Sequence, residues 1–267
     1  MTTPPPDKPK KKFGQHFLHD QSVLSRIAQS CRIEEGDTVV EIGAGKGQLT
    51  TLLASLGERI IAVEKDRDLI PELEHACAAF KNVTIIQDDV LRVDPTNLGI
   101  ASGYILAGNI PYYITGKIIE LALEQWPKPK QIVFTVQKEV ALRICAKPGS
   151  LSILGVLTQA LAIPRVIAQI SKTAFWPAPK VDSAVLELIP RELPAEFDKD
   201  AFKQAVKSGF SHPRKLCASN LSIAYGTERK KIEQIFAQCG VNPSVRSQDI
   251  SVSQWIEIST LLKPLSA

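Results

Sequence analysis

The sequence contains no C-x-x-C pair. Its five cysteines, Cys31, Cys77, Cys145, Cys217 and Cys239, are odd in number and widely scattered. That pattern excludes a zinc ribbon and a disulfide framework, and it fits a reducing cytoplasm. The four histidines show no metal spacing apart from His16 and His19, and that pair is read as incidental, so no metal is expected. No apolar run approaches the roughly 20 residues of a membrane span. The first twelve residues, MTTPPPDKPKKK, lack the apolar segment of a signal peptide, so neither export nor membrane residence is expected. They read instead as a disordered basic arm. No internal repeat is present.

What is there describes an ordinary globular protein. The chain has 267 residues, 44% hydrophobic and 22% charged, enough for one large domain and a small one. The net charge is only +4, but it is unevenly distributed. Residues 1–12 carry four lysines against Asp7. Residues 203–231 carry Lys203, Lys207, Arg214, Lys215, Arg229, Lys230 and Lys231 against Glu228 alone. Two such basic clusters on an enzyme-like body suggest an anionic polymer as partner.

The organising stretch is Val39–Leu53, VVEIGAGKGQLTTLL. A β-branched run (38–42) meets Gly43, Gly45 and Gly47, and an apolar helical pattern then begins at Leu49. This reads as a buried strand, a turn open to close backbone approach, and a helix with free N–H groups at its start. A dinucleotide fingerprint would need glycine at position 48, which is Gln48. Glu41, before the glycines, suits an adenosyl ligand with a cationic tail better than a pyrophosphate. The loop resembles the S-adenosylmethionine loop of class I methyltransferases.

Further strands are expected at 59–63, 83–86, 104–107 and 131–136, with helices at about 48–56, 66–79 and 116–124. That alternation predicts a doubly wound, mostly parallel sheet. Four successive strands end in a polar or glycine group, at Gly43, Glu64, Asp89 and Asn109, where an open α/β sheet binds its ligand. After an apolar helical stretch (151–161), residues 166–170 and 181–188 read as a final antiparallel pair. Residues 190–195 form a proline-containing hinge, and everything from Asp198 onward is helical in pattern. The expected division is an arm (1–12), an α/β domain (13–192) and a small all-helical domain (193–267).

Each strand-end group has a chemical reading and a plainer one. Glu64 can accept hydrogen bonds from both hydroxyls of a ribose. A solvated turn residue paired with Lys65 or Arg67 would give the same pattern. Asp89 can accept from an adenine amine, or simply cap a turn. Asn109-Ile110-Pro111-Tyr112 is the most specific signal in the chain. The Asn109 side-chain oxygen and the Ile110 carbonyl can accept both N–H bonds of a target adenine, Pro111 stiffens the turn, and Tyr112 can stack on an extruded base. The alternative is a proline turn with a packed tyrosine. Phe175, within FWPAPK, is a second stacking candidate and equally an ordinary core phenylalanine. Gln15, His16, Phe17 and Leu18 are placed to close over the methionine end of the cofactor.

With these residues assembled, the chain resembles the bacterial small-subunit ribosomal RNA adenine N6,N6-dimethyltransferases. The motifs are FGQHFLHDQ (Phe13–Gln21), VEIGAGKGQLT, VEKDRDL, QDDVL, GNIPYYIT, VQKEVALRI and FWPAPKVDSAV (Phe175–Val185). They cover residues 11–190 densely and the tail more loosely. Ile110 stands where that branch usually has leucine, a form shared with the large-subunit branch, whereas KVDSAV favours the small-subunit branch. The tail reads His212-Pro213-Arg214-Lys215 where the family typically has consecutive arginines before a lysine.

The resemblance implies a Rossmann-like methyltransferase sheet with an antiparallel edge pair and a helical RNA-binding domain. It implies S-adenosylmethionine as cofactor, contacted by His16, Leu18, Gly43, Glu64, Asp89 and Asn109. Asn109, Ile110, Pro111, Tyr112 and Phe175 would serve the base. The implied activity is dimethylation of two adjacent adenines near the 3′ end of small-subunit rRNA, in the cytoplasm and as a monomer, with a role in ribosome biogenesis. Dimethylation of one large-subunit adenine, or a non-catalytic RNA-binding assembly role, are the alternatives.

Overall fold

The computed structural model describes residues 14–265; the basic arm expected over residues 1–12 lies outside them, as does Phe13. The chain begins with β1 (Phe17–Leu18) and α1 (Gln21–Ser30). Asp20 starts α1, its carboxylate accepting from the N–H groups of Ser22 and Val23. There follow β2 (Thr38–Ile42), α2 (Gln48–Ala54), β3 (Arg59–Glu64), α3 (Ile70–Cys77) and β4 (Val83–Gln87). Next come β5 (Ile105–Asn109), α4 (Thr115–Glu124), β6 (Gln131–Gln137), α5 (Lys138–Ile144) and α6 (Ile153–Leu161). The α/β part closes with β7 (Ala162–Ile170), β8 (Phe175–Trp176) and β9 (Ser183–Pro190).

Seven strands form one sheet in the order β4-β3-β2-β5-β6-β9-β7. Neighbours from β4 through β6 are parallel, and β9 runs antiparallel to β6. Strand order reverses between β2 and β5, which makes the carboxyl ends of those strands the place for a ligand. Gly108 allows that junction to close. A Cβ there would lie 2.3 Å from the Ile42 carbonyl oxygen, so only glycine lets β5 sit this close to β2.

Differences from the expected elements lie mostly at the boundaries. Strands β3 and β5 run on to include Glu64 and Asn109, so each candidate group is the last residue of its strand. The helix expected over 66–79 is instead a 3₁₀ turn (Arg67–Leu69) started by Asp66, followed by α3 with Pro71 in its first turn, where a missing N–H costs nothing. A two-stranded ladder escaped the reading altogether. Strand β1 pairs antiparallel with β8, Phe17 opposite Trp176 and Leu18 opposite Phe175.

The chain divides into two compact units, and not at the hinge alone. One runs through Ala141 and continues as Arg165–Ile189; the other is Leu142–Pro164 together with the residues from Pro190 onward. The expected boundary near 192 therefore misses an insertion. The reason is hydrophobic. Leu151, Val156 and Ala160 of the α6 region bury in one core with the tail helices α7 (Lys199–Gly209), α8 (Cys217–Ala224), α9 (Arg229–Gln238) and α10 (Val252–Leu262). Phe202, Phe236 and the fully buried Trp255 lie at its centre. Proximity in sequence assigned α6 to the sheet, but its apolar face belongs to the helices.

One buried acid in the sheet carries a stability consequence. Glu41, on β2, is only 1% exposed, and burial pushes its carboxyl up to about 7. Thr50 offsets this in part, and the neighbouring charge of Glu64 adds to it. Thr50 stops short of a hydrogen bond: neither its hydroxyl nor Glu41 Oε2 has a partner among the described residues. In the unfolded chain the same carboxyl titrates near 4.5. Between those values the unfolded chain releases a proton that the folded chain keeps. Stability from this group is therefore full below pH 4.5 and is lost as pH rises through 7. Glu41→Gln should raise the melting temperature at pH 8 by roughly 7–14 °C, from about 1.36 kcal/mol per pKa unit and about 2–4 °C per kcal/mol, and leave it nearly unchanged at pH 4.5. An equal shift at both pH values would mean that the acid is not held neutral in the fold.

Candidate active site

The cleft beyond the carboxyl ends of β2, β3 and β5 encloses about 790 Å³, including its open mouth. Eight of the ten residues singled out from the sequence line it: His16, Gly43, Glu64, Asp89, Asn109, Ile110, Pro111 and Tyr112. The glycine loop forms its floor. Gly43 donates to the Val63 carbonyl at 2.9 Å, which ties the end of β2 to β3. Its φ of +74° is left-handed, and a Cβ there would meet the Asn109 carbonyl oxygen at 3.3 Å. A side chain would thus be strained and crowded just where a ligand must approach backbone.

Glu64 is not a solvated turn residue. It is 7% exposed, and both carboxylate oxygens are occupied by main chain: Oε2 accepts from Gly45 N at 2.8 Å and Oε1 from Asp66 N at 2.7 Å. Burial raises its pKa, while the Asp66 and Gly45 bonds work against that rise. A carboxylate can accept about four hydrogen bonds, and the residue lines the cleft, so it retains acceptor capacity toward a ligand. Asp66 is itself buried, and its Oδ2 takes a bond from Gln15 Nε2 at 2.7 Å. The segment before β1 is thereby drawn over the cleft mouth, with Gln15, His16 and Phe17 in the lining.

The Asn109 turn is braced from the same segment. Asn109 Nδ2 donates to the His16 carbonyl oxygen at 2.9 Å. Because a carbonyl can only accept, the amide orientation is settled and Oδ1 is left for the cleft. The His16 ring stacks on Tyr112, with centroids 5.8 Å apart and planes 20° from parallel. Its Nδ1 donates to the Pro177 carbonyl at 2.7 Å. The β1–β8 ladder sets this up by placing His16 opposite Pro177, one step beyond the Phe17–Trp176 pair. The Tyr112 hydroxyl meets Ser183 Oγ at 2.6 Å, and burial raises its pKa against that bond. The tyrosine is held at both ends.

Asp89 answers to both of its readings. It caps its own turn, Oδ1 accepting from Leu91 N at 3.1 Å, and it pairs with Lys65 through Oδ2 at 2.7 Å. Burial pushes its pKa up, but the Lys65 bond and neighbouring donors prevail and hold it below the usual carboxylate value.

The other two residues are placed differently. Leu18 and Phe175 face each other across the β1–β8 ladder, each 3% exposed, and both sit in the core around α1 and α2. Neither lines the cleft. The ladder turns their side chains inward, so Phe175 takes the core alternative and any ligand contact at Leu18 is through main chain. Sequence reasoning also passed over Lys65, Asp88 and Tyr113 as cleft residues. Tyr113 had a signal, the doubled aromatic after Pro111, and it is 63% exposed. From the sequence, Lys65 reads only as a partner for Glu64, whereas in the fold it pairs with Asp89.

The polar lining is three accepting carboxylates, a lysine already paired with one of them, an accepting amide oxygen and open backbone. That suits hydroxyls, amines and a cation, and not a pyrophosphate.

The family model for ribosomal RNA adenine dimethylase matches residues 7–263. The small subunit ribosomal RNA methyltransferase A of Lactococcus lactis subsp. lactis is 37% identical over 273 residues, covering 96% of this chain and 90% of the relative. That of Nostoc punctiforme is 38% identical over 275 residues, covering 96% and 95%. Among solved structures, the 23S rRNA methyltransferase ErmE aligns with a TM-score of 0.76 at 26% identity, over 92% of this chain and 99% of its own. A dimethyladenosine transferase from Plasmodium falciparum shares the fold, with a TM-score of 0.80 at 22% identity over 94% and 98%. With this match across nearly its whole length, the chain belongs to the ribosomal RNA adenine dimethylase family.

Proposed function

We propose that this chain dimethylates the N6 amine of two adjacent adenines near the 3′ end of small-subunit ribosomal RNA, acting as a cytoplasmic monomer in ribosome biogenesis. S-adenosylmethionine, when bound, supplies an electrophilic methyl group. The observation that carries the reading is the Asn109 turn with its amide oriented by His16.

An adenine N6 amine is a poor nucleophile because its lone pair is delocalised into the ring. Asn109 Oδ1 and the Ile110 carbonyl accept its two N–H bonds, which localises the lone pair and aims it. Pro111 stiffens the turn and removes a competing donor. Tyr112, fixed between His16 and Ser183, offers a stacking face to the extruded base without an ordering cost. Glu64 holds the ribose diol with the acceptor capacity that its main-chain donors leave free. Gly43 admits the ligand against backbone, and Asp89, kept ionised by Lys65, receives the cofactor's adenine amine. His16 closes the methionine end, and Leu18 contributes main chain only.

The helical unit docks RNA. Lys207, Arg214, Lys215, Lys230 and Lys231 are exposed on it. A large-subunit adenine is the second reading, favoured by Ile110 and by the likeness to ErmE. The relatives at 37–38% identity over 96% of this chain weigh more.

The direct test is methyl transfer into small subunits from a strain lacking the modification, followed by nucleoside mass spectrometry. Two adjacent dimethyladenosines are expected. Methylation confined to large-subunit RNA would overturn the small-subunit assignment. Base–aromatic stacking is worth about 1–3 kcal/mol. Tyr112→Ala should therefore reduce kcat/KM by roughly 5- to 150-fold with little change in melting temperature. Phe175→Ala should do the reverse, costing about 3–5 kcal/mol of stability as a buried aromatic lost from a core. Replacing Arg214 and Lys215 together should lower the log–log salt slope of RNA binding by about two. An unchanged slope would make that cluster a solvated face.

A further inference from the structure

A second pocket, of about 750 Å³ including its open mouth, opens elsewhere on the α/β unit, between the end of α1 and strands β7 and β9. Arg26, Arg32 and Arg165 line it, with Glu187 as its one acid. Glu187 is 3% exposed and is fully committed. Oε2 receives Arg165 through Nε at 2.9 Å and through a terminal nitrogen at 2.8 Å. Oε1 receives Arg32, and Gln131 Nε2 at 2.7 Å. One buried carboxylate thus fixes two guanidiniums and neutralises only one of the three charges around the pocket. Each bound guanidinium still has N–H groups to give.

The backbone reinforces this placement. Arg32 follows the end of α1 in the left-handed region, with φ +43°, the only non-glycine residue with positive φ among the described residues. Such a position favours glycine, and a large side chain persists there only where its surroundings hold it. Here the hold is the ion pair with Glu187. Arg26, one helical face back from Ser30 on α1, is exposed and outside the Glu187 network.

We propose that this pocket binds a backbone phosphate of the RNA substrate, outside the target nucleotides. A fork of pre-oriented guanidiniums around an uncompensated positive field matches a phosphodiester in shape and charge. Strand β9 relates this pocket to the active site. Ser183, which tethers Tyr112, and Glu187 lie on the same face of the strand, four residues and about 13 Å apart. An RNA strand leaving the cleft toward the amino-terminal edge of β6 reaches the arginines. Glu187 is a positioning residue in this scheme and touches no RNA.

The inference rests on the RNA-methylating reading, so the parent protein is measured first: if it neither binds nor methylates undermethylated small subunits, that reading fails and not this one. Arg26→Gln removes a charge without touching the Glu187 network. Arg32→Gly removes another while suiting the left-handed backbone, and Arg165 and Gln131 still satisfy Glu187. Each variant should bind the subunits about 3- to 10-fold more weakly. The pair together should lower the log–log salt slope by about 0.7–0.9, the increment for one phosphate. KM for RNA should rise, with kcat at saturation, S-adenosylmethionine affinity and melting temperature near those of the parent. RNA affinity and salt slope equal to the parent in the folded double variant would overturn the proposal. Calorimetry with inorganic phosphate separates a free anion from RNA: phosphate binding lost in the variants while RNA binding is unchanged would assign the pocket to a free anion and also overturn it.

Discussion

The candidate site depends on the buried Glu64 carboxylate bridging two main-chain N–H groups. Gly45 belongs to the loop after β2, and Asp66 to the turn after β3. These are different excursions of the chain, and the carboxylate is what sets the distance between them. A buried charged acceptor is costly unless satisfied, and here two backbone donors satisfy it in part while the cleft faces the remainder. The loop is therefore shaped by a group that itself faces the cleft with unused acceptor capacity. Gly43 and Gly108 serve the same end sterically, one letting a ligand near the backbone and the other letting β5 close against β2.

The second constraint comes from His16. Its carbonyl orients Asn109, its ring supports Tyr112, and its Nδ1 ties it to Pro177. One residue thus couples the amide that would direct a target amine with the aromatic face that would hold the base. The short β1–β8 ladder supplies the rigidity for this, and Leu18 and Phe175 are buried to make the ladder stable. The sequence offers Leu18 as a cofactor contact and Phe175 as either a stacking or a core residue. Their side chains lie in the core beside the ladder and are absent from the cleft lining.

Much of this was legible in the residues because period and punctuation agreed. The β-branched runs at 38–42, 59–63 and 131–136, the three alternating glycines, and polar groups at successive strand ends all required the same doubly wound sheet. Seven of the ten site residues were reachable by that logic, since strand ends converge in such a sheet, and His16 followed from the amino-terminal motif. What escaped were long-range pairings. A two-residue ladder between positions 17–18 and 175–176 leaves no periodic trace. The allegiance of α6 to the tail helices is decided by which core its apolar face completes, and local pattern does not reveal it. The Glu187 cluster joins residues 155 and 22 positions away, and it too is invisible to spacing.

The central claim is a division of labour, with Glu64 holding the cofactor in the ground state and Asn109 acting on the amine as methyl transfer occurs. Calorimetric affinity for S-adenosylmethionine, beside methyl incorporation at saturating cofactor, tests it in two variants. Bonds to a charged group are worth about 1.5–3 kcal/mol, so Glu64→Gln should weaken cofactor binding at least tenfold while saturation restores most of the turnover. Asn109→Ala should lose about 100-fold or more in kcat, which saturation does not recover. Near-normal turnover by Asn109→Ala at saturating cofactor would contradict the account.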